Sequence, residues 1–250
     1  TTLGTPLTLL VYNKDQKQAD YSSLQNKYRP SHADYTTEVK YGLRASSGGG
    51  RASARETIGR VAAASVAEQI LADELPKLEV VAFVESLHHI TAQDISVQSL
   101  TRKKIDAFEL RCPEEKTHAA MKALLAKVKS AGDSVGGVIR CVIKNPPKGL
   151  GEPVFDKLQA DLAKALMSLP ATKGFEIGSG FLGSRMLGSE HNDEFYLDQG
   201  EIRTTTNHSG GVQGGISNGE TIHMRLAFKP VSTIFKPQHT VSKDFEECTL

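Results

Sequence analysis

The chain has 250 residues, of which 39% are hydrophobic, and its 30 basic and 29 acidic side chains give a formal net charge of +1. This length suits one large domain or two small ones, and it is enough to bury a sizeable core. The near-neutral charge argues against a protein built to bind nucleic acid and against a polybasic membrane anchor.

Short strands and loops are predicted before the first helix. An apolar, β-branched run over residues 8–12 favours a buried strand. The polar residues 14–32 indicate a loop, and residues 38–43 favour a short strand. The Ser-Ser-Gly-Gly-Gly run over 46–50 predicts a flexible break in the chain.

The clearest helix begins at Ser53. Apolar and small residues recur at helical spacing over 58–70, Ser53 and Glu56 form a Ser-x-x-Glu capping pattern, and Pro76 ends the helix. The run Ala62-Ala63-Ala64-Ser65 is small on every side, which allows another backbone to approach closely. We therefore expect this helix to lie in the interior.

Strands and helices are mixed in the rest of the chain. Strands are expected at 78–84, 135–143, 175–181 and 221–228, and helices at 116–129 and 153–169. The helix over 116–129 has the pattern of a surface helix, and the strand over 221–228 alternates as a half-buried strand does. The expected fold class is α+β, in a single compact domain over residues 1–250.

Cysteines and apolar runs bear on the compartment. Cys112, Cys141 and Cys248 are far apart and form no Cys-x-x-Cys pair, which argues against structural zinc and favours a reducing, cytoplasmic environment. No run is long and apolar enough for a membrane-spanning helix, and no secretory signal is visible. The histidines show no ligand spacing, so we expect no metal site. The chain begins with Thr1, which fits a processed or partial chain.

Four arginines surround the glycine-rich start of the first helix, namely Arg44, Arg51, Arg55 and Arg60. The start of a helix carries the positive end of its dipole, so Arg55 in the first turn is unfavourable unless an anion lies beside it. A bound phosphate or carboxylate would remove this conflict. An outward-pointing Arg55 paired with Glu56 or Glu38 explains it equally well. The glycines do not match a Walker A loop.

Two further segments contain residues suited to chemistry. In Arg29-Pro-Ser-His32-Ala-Asp34, the histidine could exchange a proton near neutral pH, although an ordinary surface histidine is the commoner explanation. The glycine pairs in 207–219 let backbone pass close to a flat ligand or to another chain segment. Lys229, with Ser232 and Thr233 after it, fits either a phosphate site or a plain strand exit.

Together these segments resemble the signature motifs of the chorismate synthase family, in that family's order. The motifs are Arg29-Pro-Ser-His32-Ala-Asp34, Ser47-Gly-Gly-Gly-Arg51-Ala-Ser53-Ala-Arg55-Glu56-Thr57, Ser209-Gly-Gly-Val-Gln-Gly-Gly-Ile-Ser-Asn218-Gly219 and Lys229-Pro230 with Ser232-Thr233-Ile234. Lys173-Gly-Phe-Glu-Ile-Gly178 and His191-Asn-Asp193 also match. The resemblance covers nearly the whole chain, and the glycine-rich segments are similar to the fungal branch.

The resemblance implies a fold and a reaction. The family's fold is a layered β-α-β sandwich with long internal helices between mainly antiparallel sheets, and the central pair here would be the helices from Ser53 and from Pro153. The reaction eliminates phosphate from 5-enolpyruvylshikimate 3-phosphate to give chorismate, the last common step of the shikimate pathway, and it requires reduced FMN. Members of the family form homotetramers. Because the substrate carries two carboxylates and a phosphate, its pocket must be rich in arginine.

The resemblance also implies residue roles. His32 matches the catalytic histidine that acts on the flavin, and Arg29 and Arg55 match substrate-binding arginines. The FMN site would comprise Ser53, Ala54, Asn207, Ser209, Gly210, Lys229 and Thr233. His208 stands where the family pattern leads us to expect Asn. These groups would enclose a polyanionic molecule stacked on the flavin.

The chain lacks some of the family's motifs. A Gly-Glu-Ser-His segment and a Gly-Arg-His-Asp segment have no counterpart here, and neither has the family's second catalytic histidine. The chain is therefore expected to be the core of a longer enzyme and inactive by itself. Two other hypotheses remain. The chain could be an NADPH-dependent flavin reductase, an activity that overlaps with the fungal enzymes, or a module that binds only FMN, phosphate or a partner.

Overall fold

The computed structural model describes residues 3–14, 24–44, 50, 53–93 and 95–250. It divides into two compact units. Unit 1 comprises Thr1–Glu74 and Ser232–Leu250, and unit 2 comprises Leu75–Val231. The predicted break over 46–50 and the arginine at 51 lie outside the described residues, apart from Gly50.

In the described part of the chain, the helices are α1 (Asp34–Tyr41), α2 (Thr57–Glu74), α3 (Arg102–Asp106), α4 (Glu115–Ser130), α5 (Leu158–Met167), α6 (Gly180–Gly183) and α7 (Gly188–His191). The strands are β1 (Glu79–Leu87), β2 (Ile90–Thr91), β3 (Gly137–Lys144), β4 (Thr172–Ile177), β5 (Phe195–Asp198), β6 (Glu201–Thr204), β7 (Val212–Gln213), β8 (Ile216–Ser217), β9 (Ile222–Phe228), β10 (His239–Val241) and β11 (Glu247–Thr249). Short 3-10 turns cover Ala54–Glu56 and Val97–Ser99. The α+β class with antiparallel sheets is confirmed.

Unit 2 is built on a five-stranded antiparallel sheet in the order β2-β1-β3-β9-β4. In β9, Ile222, Met224 and Leu226 are buried, while the residues between them are half-buried. This period of two places one row of side chains in the core, as the sequence predicted for residues 221–228. Three hairpins of two short strands each complete the described sheets.

Both faces of this sheet are packed. On one face, Ile222 and Met224 contact α5 through Leu158, Leu162 and Leu166. On the other face, the chain that leads into α3 covers the strands, and the buried side chains there are Val81, Phe83, Leu100, Ile105 and Val142. A separate cluster joins α4 to β2 through Ala92, Cys112 and Met121. The core of unit 2 is therefore assembled from elements distant in sequence.

Unit 1 has almost no buried core among its described residues. Among its described residues only Asp34 is buried. The hairpin of β10 and β11 is hydrogen-bonded to residues near the start of the chain, since Tyr28 N–H donates to Val241 O at 3.2 Å and Lys243 N–H donates to Asn26 O at 2.9 Å. Polar contacts between the two ends of the chain therefore hold this unit.

Two predicted strands in unit 1 are wrong. Residues 8–12 form no strand and are exposed, because no described segment pairs with them and an apolar run alone supplies no ladder partner. Residues 38–41 instead form the second half of α1, and Gly42 follows as its cap. That helix has Asp34 in its first turn and ends at Gly42, which has a φ of 71° and donates its N–H to Glu38 O at 2.8 Å.

The helix after Ser53 is confirmed, but its expected interior position is wrong within this chain. None of the residues of α2 is buried, and Val61 is 68% exposed. Small residues allow close packing without supplying the surface that packs. The predicted pairing of α2 with α5 stays a prediction, because the two helices lie in different units.

Other elements differ mainly at their ends. The helix predicted from residue 153 begins at Leu158, because residues 152–156 form a tight turn in which Glu152 and Asp156 are bridged. The strand predicted over 175–181 is β4, which begins at Thr172 and ends at Ile177. The surface helix over 116–129 is confirmed as α4, whose only buried residue is Met121.

In the described part of the chain, no helix combines the length and apolar character needed to cross a membrane.

Candidate functional site

In unit 1, a buried carboxylate holds the predicted catalytic histidine and a predicted substrate arginine. Arg29 donates to both oxygens of Asp34, from Nε to Oδ2 at 2.7 Å and from Nη2 to Oδ1 at 2.9 Å. His32 Nδ1 lies 2.9 Å from Asp34 Oδ1, and Arg44 Nη1 lies 3.6 Å from Oδ2. One carboxylate therefore lies beside three groups that can carry positive charge, although the Arg44 guanidinium donates to Lys27 O at 2.9 Å instead.

The environment of Asp34 keeps it ionised. Its side chain is only 9% exposed, and this burial would raise the pKa of the carboxyl, but hydrogen bonds from Arg29 and His32 outweigh burial and hold the pKa well below its usual value. The two-point contact from Arg29 uses two of the five N–H donors of its guanidinium. The others remain suited to a second anion.

Asp34→Asn is expected to reduce the acid sensitivity of unit 1. The pKa of Asp34 is lower when folded than when unfolded, so its stabilisation is complete above pH about 4 and is lost as the pH falls further. Near neutral pH, the loss of charged hydrogen bonds should cost about 1.5–3 kcal/mol. Amide hydrogen exchange of α1 between pH 2 and 7 measures both effects. An equal pH dependence in wild type and variant would contradict this account.

The start of α2 presents a cation without an acidic partner. Ser53 Oγ accepts the N–H of Arg55 at 3.2 Å, as expected for a capping residue. The Arg55 side chain is exposed and makes no ion pair with any described residue. Of the two partners suggested by the sequence, Glu56 pairs with Arg60, and Glu38 pairs with Lys243 at 2.9 Å. Neither pairing suggested by the sequence therefore forms among the described residues, and anion binding by Arg55 stays a prediction.

Residues around the predicted phosphate site fall in both units. In unit 1, Ser232 Oγ donates to Ser31 O at 2.9 Å, which places the exposed Thr233 beside the turn that carries His32. In unit 2, the N–H of Lys229 donates to Ala171 O at 2.9 Å. Ala171 has a φ of 69°, an unusual backbone state for a residue other than glycine.

The glycine-rich loop of unit 2 is held by its own polar side chains. Asn207 Nδ2 donates to Thr221 O at 2.7 Å, and Asn207 Oδ1 accepts the N–H of Gly211 at 2.7 Å. His223 Nε2 lies 3.1 Å from Asn207 O, and burial lowers the pKa of His223. Both ends of the Asn207 amide are thus used to close the loop.

Two glycines of this loop differ in the space around them. A Cβ on Gly210, whose φ is 65°, would lie 2.4 Å from the backbone nitrogen of Gly178. Close approach to another chain segment, one of the two explanations left open by the sequence, therefore applies at Gly210. Gly214 is different, because a Cβ there would meet nothing within 4 Å. The exposed Gly214 is free of this packing requirement.

An open cleft of about 430 Å³ lies at the base of the same loop. It is lined by Phe175, Glu176, Ile177, Ser179, Gly180, Phe181, Ser184, His191, His208 and Ser209. Ser179 Oγ lies 2.8 Å from His191 Nε2, and His208 Nδ1 lies 3.1 Å from His191 O. The histidine found where Asn was expected is therefore tied to the His191-Asn-Asp193 motif.

Asp193 was not predicted as a functional residue, although its motif was recognised. Its Oδ1 accepts from Thr206 Oγ1 and from the N–H of His208, both at 2.7 Å, and its Oδ2 accepts from the N–H of Ser209 at 2.9 Å. Burial would raise its pKa, but the hydrogen bonds from Thr206, Ser209 and His208 hold the pKa at about 2. An isolated Asp in a polar segment gives no sequence signal of such a role.

A second unpredicted group is a row of charges across the sheet. Arg225 in β9 donates to Glu85 Oε2 at 2.6 Å and to Glu176 Oε2 at 2.9 Å. Glu85 is 4% exposed and also pairs with Arg140, which lies opposite Arg225 in the register. These residues come from four strands, so only the strand pairing reveals them.

The predicted site residues fall into four groups. The first holds Arg29, His32 and the neighbouring Thr233; the second, at the start of α2, holds Ser53, Ala54 and Arg55; the third is the loop with Asn207, Ser209 and Gly210; and the fourth is Lys229 at the end of β9. The first two groups belong to unit 1 and the last two to unit 2. Across the described ranges, no three His, Cys, Asp or Glu side chains form a group that could hold a metal ion.

Comparison with known proteins gives a consistent result. The family described as chorismate synthase matches residues 1–250. Chorismate synthase of Prochlorococcus marinus (strain MIT 9301) is 57% identical over 248 residues, which cover 98% of this chain and 67% of that protein. Chorismate synthase of Synechocystis sp. (strain ATCC 27184 / PCC 6803 / Kazusa) is 58% identical over 250 residues, which cover 100% of this chain and 68% of that protein.

A solved structure described as "Crystal Structure of Chorismate Synthase" is also similar, with a TM-score of 0.72 and 33% sequence identity. The match covers 79% of this chain and 63% of that one. The chain thus spans about two thirds of the length of its relatives. Because these two curated relatives, at 57% and 58% identity, are cyanobacterial, the expected resemblance to the fungal branch is not supported.

Proposed function

This chain belongs to the chorismate synthase family, and from that premise we propose that it carries the substrate- and FMN-binding core of a chorismate synthase. The reaction is the elimination of phosphate from 5-enolpyruvylshikimate 3-phosphate to give chorismate. The observation that carries the proposal is the family match over residues 1–250, which includes every motif described above. We further propose a cytoplasmic homotetramer, which size-exclusion chromatography with light scattering would test.

The available side chains fit the ligands of this reaction. Arg29 and Arg55 suit the carboxylates and the phosphate of the substrate, and Lys229 suits the phosphate of FMN. Arg55 makes no ion pair in the described chain, which supports an anionic ligand beside it. The donors Ser53, Ser209 and Thr233 suit the phosphate and ring edges of FMN, and the exposed glycine at 214 leaves room for a flat ring.

In the proposed mechanism, Asp34 fixes His32 through Nδ1. The other ring nitrogen, Nε2, then holds or donates the proton that acts near the flavin N1 position. Arg29 and Arg55 bind and orient the substrate, and their charge stabilises the phosphate as it leaves. Reduced FMN, when bound, supplies transient electron density for the elimination. Asn207 and Gly210 shape the loop that would lie against the flavin, and Ala54 would line the flavin at the turn before α2.

The test combines a binding and an activity measurement. Reduced FMN and 5-enolpyruvylshikimate 3-phosphate are supplied without oxygen to this chain and to a protein that also carries the further segments of its relatives. We expect flavin fluorescence to be quenched on titration of either protein. Phosphate release is expected from the longer protein. In that protein, Arg55→Ala should raise the KM for the substrate about tenfold or more, and the exposed control Arg185→Ala should leave the KM unchanged.

Other results would contradict the proposal. Flavin that stays unquenched by both proteins would remove the cofactor assignment. NADPH oxidation without phosphate release from the longer protein would indicate a flavin reductase instead.

A further inference from the structure

The carboxylate of Asp193 accepts its hydrogen bonds from residues at the start of the glycine-rich loop. Its side chain is 1% exposed, and it accepts one hydroxyl and two backbone N–H donors from residues 206–209. The ring nitrogen Nδ1 of His208 lies 3.6 Å from Oδ1 of Asp193, which is beyond hydrogen-bond distance. Asp193 is therefore satisfied mainly by dipoles of the loop.

A carboxylate is the side chain that suits this position. Oδ1 serves two donors and Oδ2 serves a third, so both oxygens must accept. An asparagine of the same shape has one acceptor oxygen, and its NH2 group would face an N–H or O–H donor. The ionised form also strengthens each hydrogen bond, because charge-assisted bonds are about twice as strong as neutral ones.

The remaining contacts define what Asp193 adds. The side-chain amide of Asn207 hydrogen-bonds to Gly211 and Thr221 and so holds the loop closed. The backbone of Gly210 packs directly against that of Gly178. Asp193 holds the N–H groups of the two intervening peptides, while the carbonyl oxygen of His208 accepts the N–H of Ser179 at 2.7 Å. The orientation of these peptides sets the direction of the Ser209 side chain. Ser209 is one of the residues proposed to contact the cofactor.

We propose that Asp193 is a positioning residue, which holds the backbone of His208 and Ser209 so that the glycine-rich loop binds the flavin. This role rests on the proposed function, because the loop is assigned to FMN there. The carboxylate acts through the loop and needs no contact with the cofactor. None of the chemistry of the reaction is assigned to Asp193.

The experiment compares Asp193→Asn with Glu85→Gln in the whole chain. Glu85 is the matched control, because it is a buried carboxylate of the same unit whose described side-chain partners, Arg140 and Arg225, are outside the loop. Two quantities are measured: the Kd for FMN, by fluorescence quenching, and the amide hydrogen exchange of residues 208 and 209. Thr206→Val, which removes one donor and keeps the carboxylate, serves as a milder variant if Asp193→Asn does not fold.

We expect Asp193→Asn to raise the Kd for FMN at least tenfold and to accelerate exchange at residues 208 and 209. Glu85→Gln should lower the thermal midpoint yet change both quantities less than twofold, and Thr206→Val should raise the Kd by two- to fivefold. Equal losses of affinity in Asp193→Asn and Glu85→Gln, or unchanged affinity in Asp193→Asn, would overturn the proposal. If the wild-type chain binds no FMN, the cofactor assignment fails, and the exchange data alone decide whether Asp193 positions the loop.

Discussion

His32→Ala is expected to lower the turnover of chorismate formation by a factor of about 100 to 10,000, the range typical of a lost proton donor. The physical reason is the pairing of His32 Nδ1 with Asp34 Oδ1 at 2.9 Å, which fixes the ring and leaves the second nitrogen to exchange a proton. The rate should be measured anaerobically, in a protein that carries this chain with the further segments present in its relatives.

The control for this variant is His239→Ala, because His239 lies in the same unit on the exposed strand β10. That variant should retain the wild-type rate, and both variants should keep the far-ultraviolet circular dichroism spectrum of the parent. An unchanged rate in His32→Ala would remove His32 from the mechanism. A loss of helical signal together with rate would instead assign His32 to the stability of unit 1.

Gly210→Val is expected to destabilise unit 2 by about 2–5 kcal/mol, through two effects that add. A side chain in the left-handed region costs about 1–2 kcal/mol, and overpacking against a backbone costs about 1–3 kcal/mol. The Cβ would lie 2.4 Å from the nitrogen of Gly178 and 2.6 Å from its Cα, and neither backbone atom can rotate away. Urea unfolding followed by circular dichroism measures the loss.

Gly188→Ala is the matched control for that substitution. A Cβ on Gly188 would meet nothing within 4 Å, and its φ lies outside the left-handed region. Its effect should stay within about 0.5 kcal/mol, as for most surface substitutions. Equal stability of the two variants would mean that the close approach at Gly210 is not required for folding.

Elements with a strong internal pattern could be predicted from the sequence. The helix α4 carries its apolar residues at helical spacing and its lysines in the last turn, and β9 alternates for seven residues. In both cases the periodic pattern and the burial agree, because each element packs against neighbours within its own unit. The predicted site residues could be identified because they lie in motifs of a known family.

Predictions failed where the outcome depends on a partner. Residues 8–12 have the composition of a strand but no described strand pairs with them. Asp193 and Glu85 owe their roles to donors brought in by the fold, from 13 to 16 residues away for Asp193 and up to 140 residues away for Glu85. No local pattern encodes such distances, so only the structure could reveal these residues.

The division of the chain has a consequence for its synthesis. Unit 2 is continuous, so all its strands are present once Val231 has emerged from the ribosome. Unit 1 needs both ends of the sequence, because Tyr28 bonds to Val241 and Ser31 to Ser232 across more than 200 residues. Since domains fold as units during translation, the sheet should form first, and the turn that carries His32 should acquire its final contacts only after the last segment of this chain has been made.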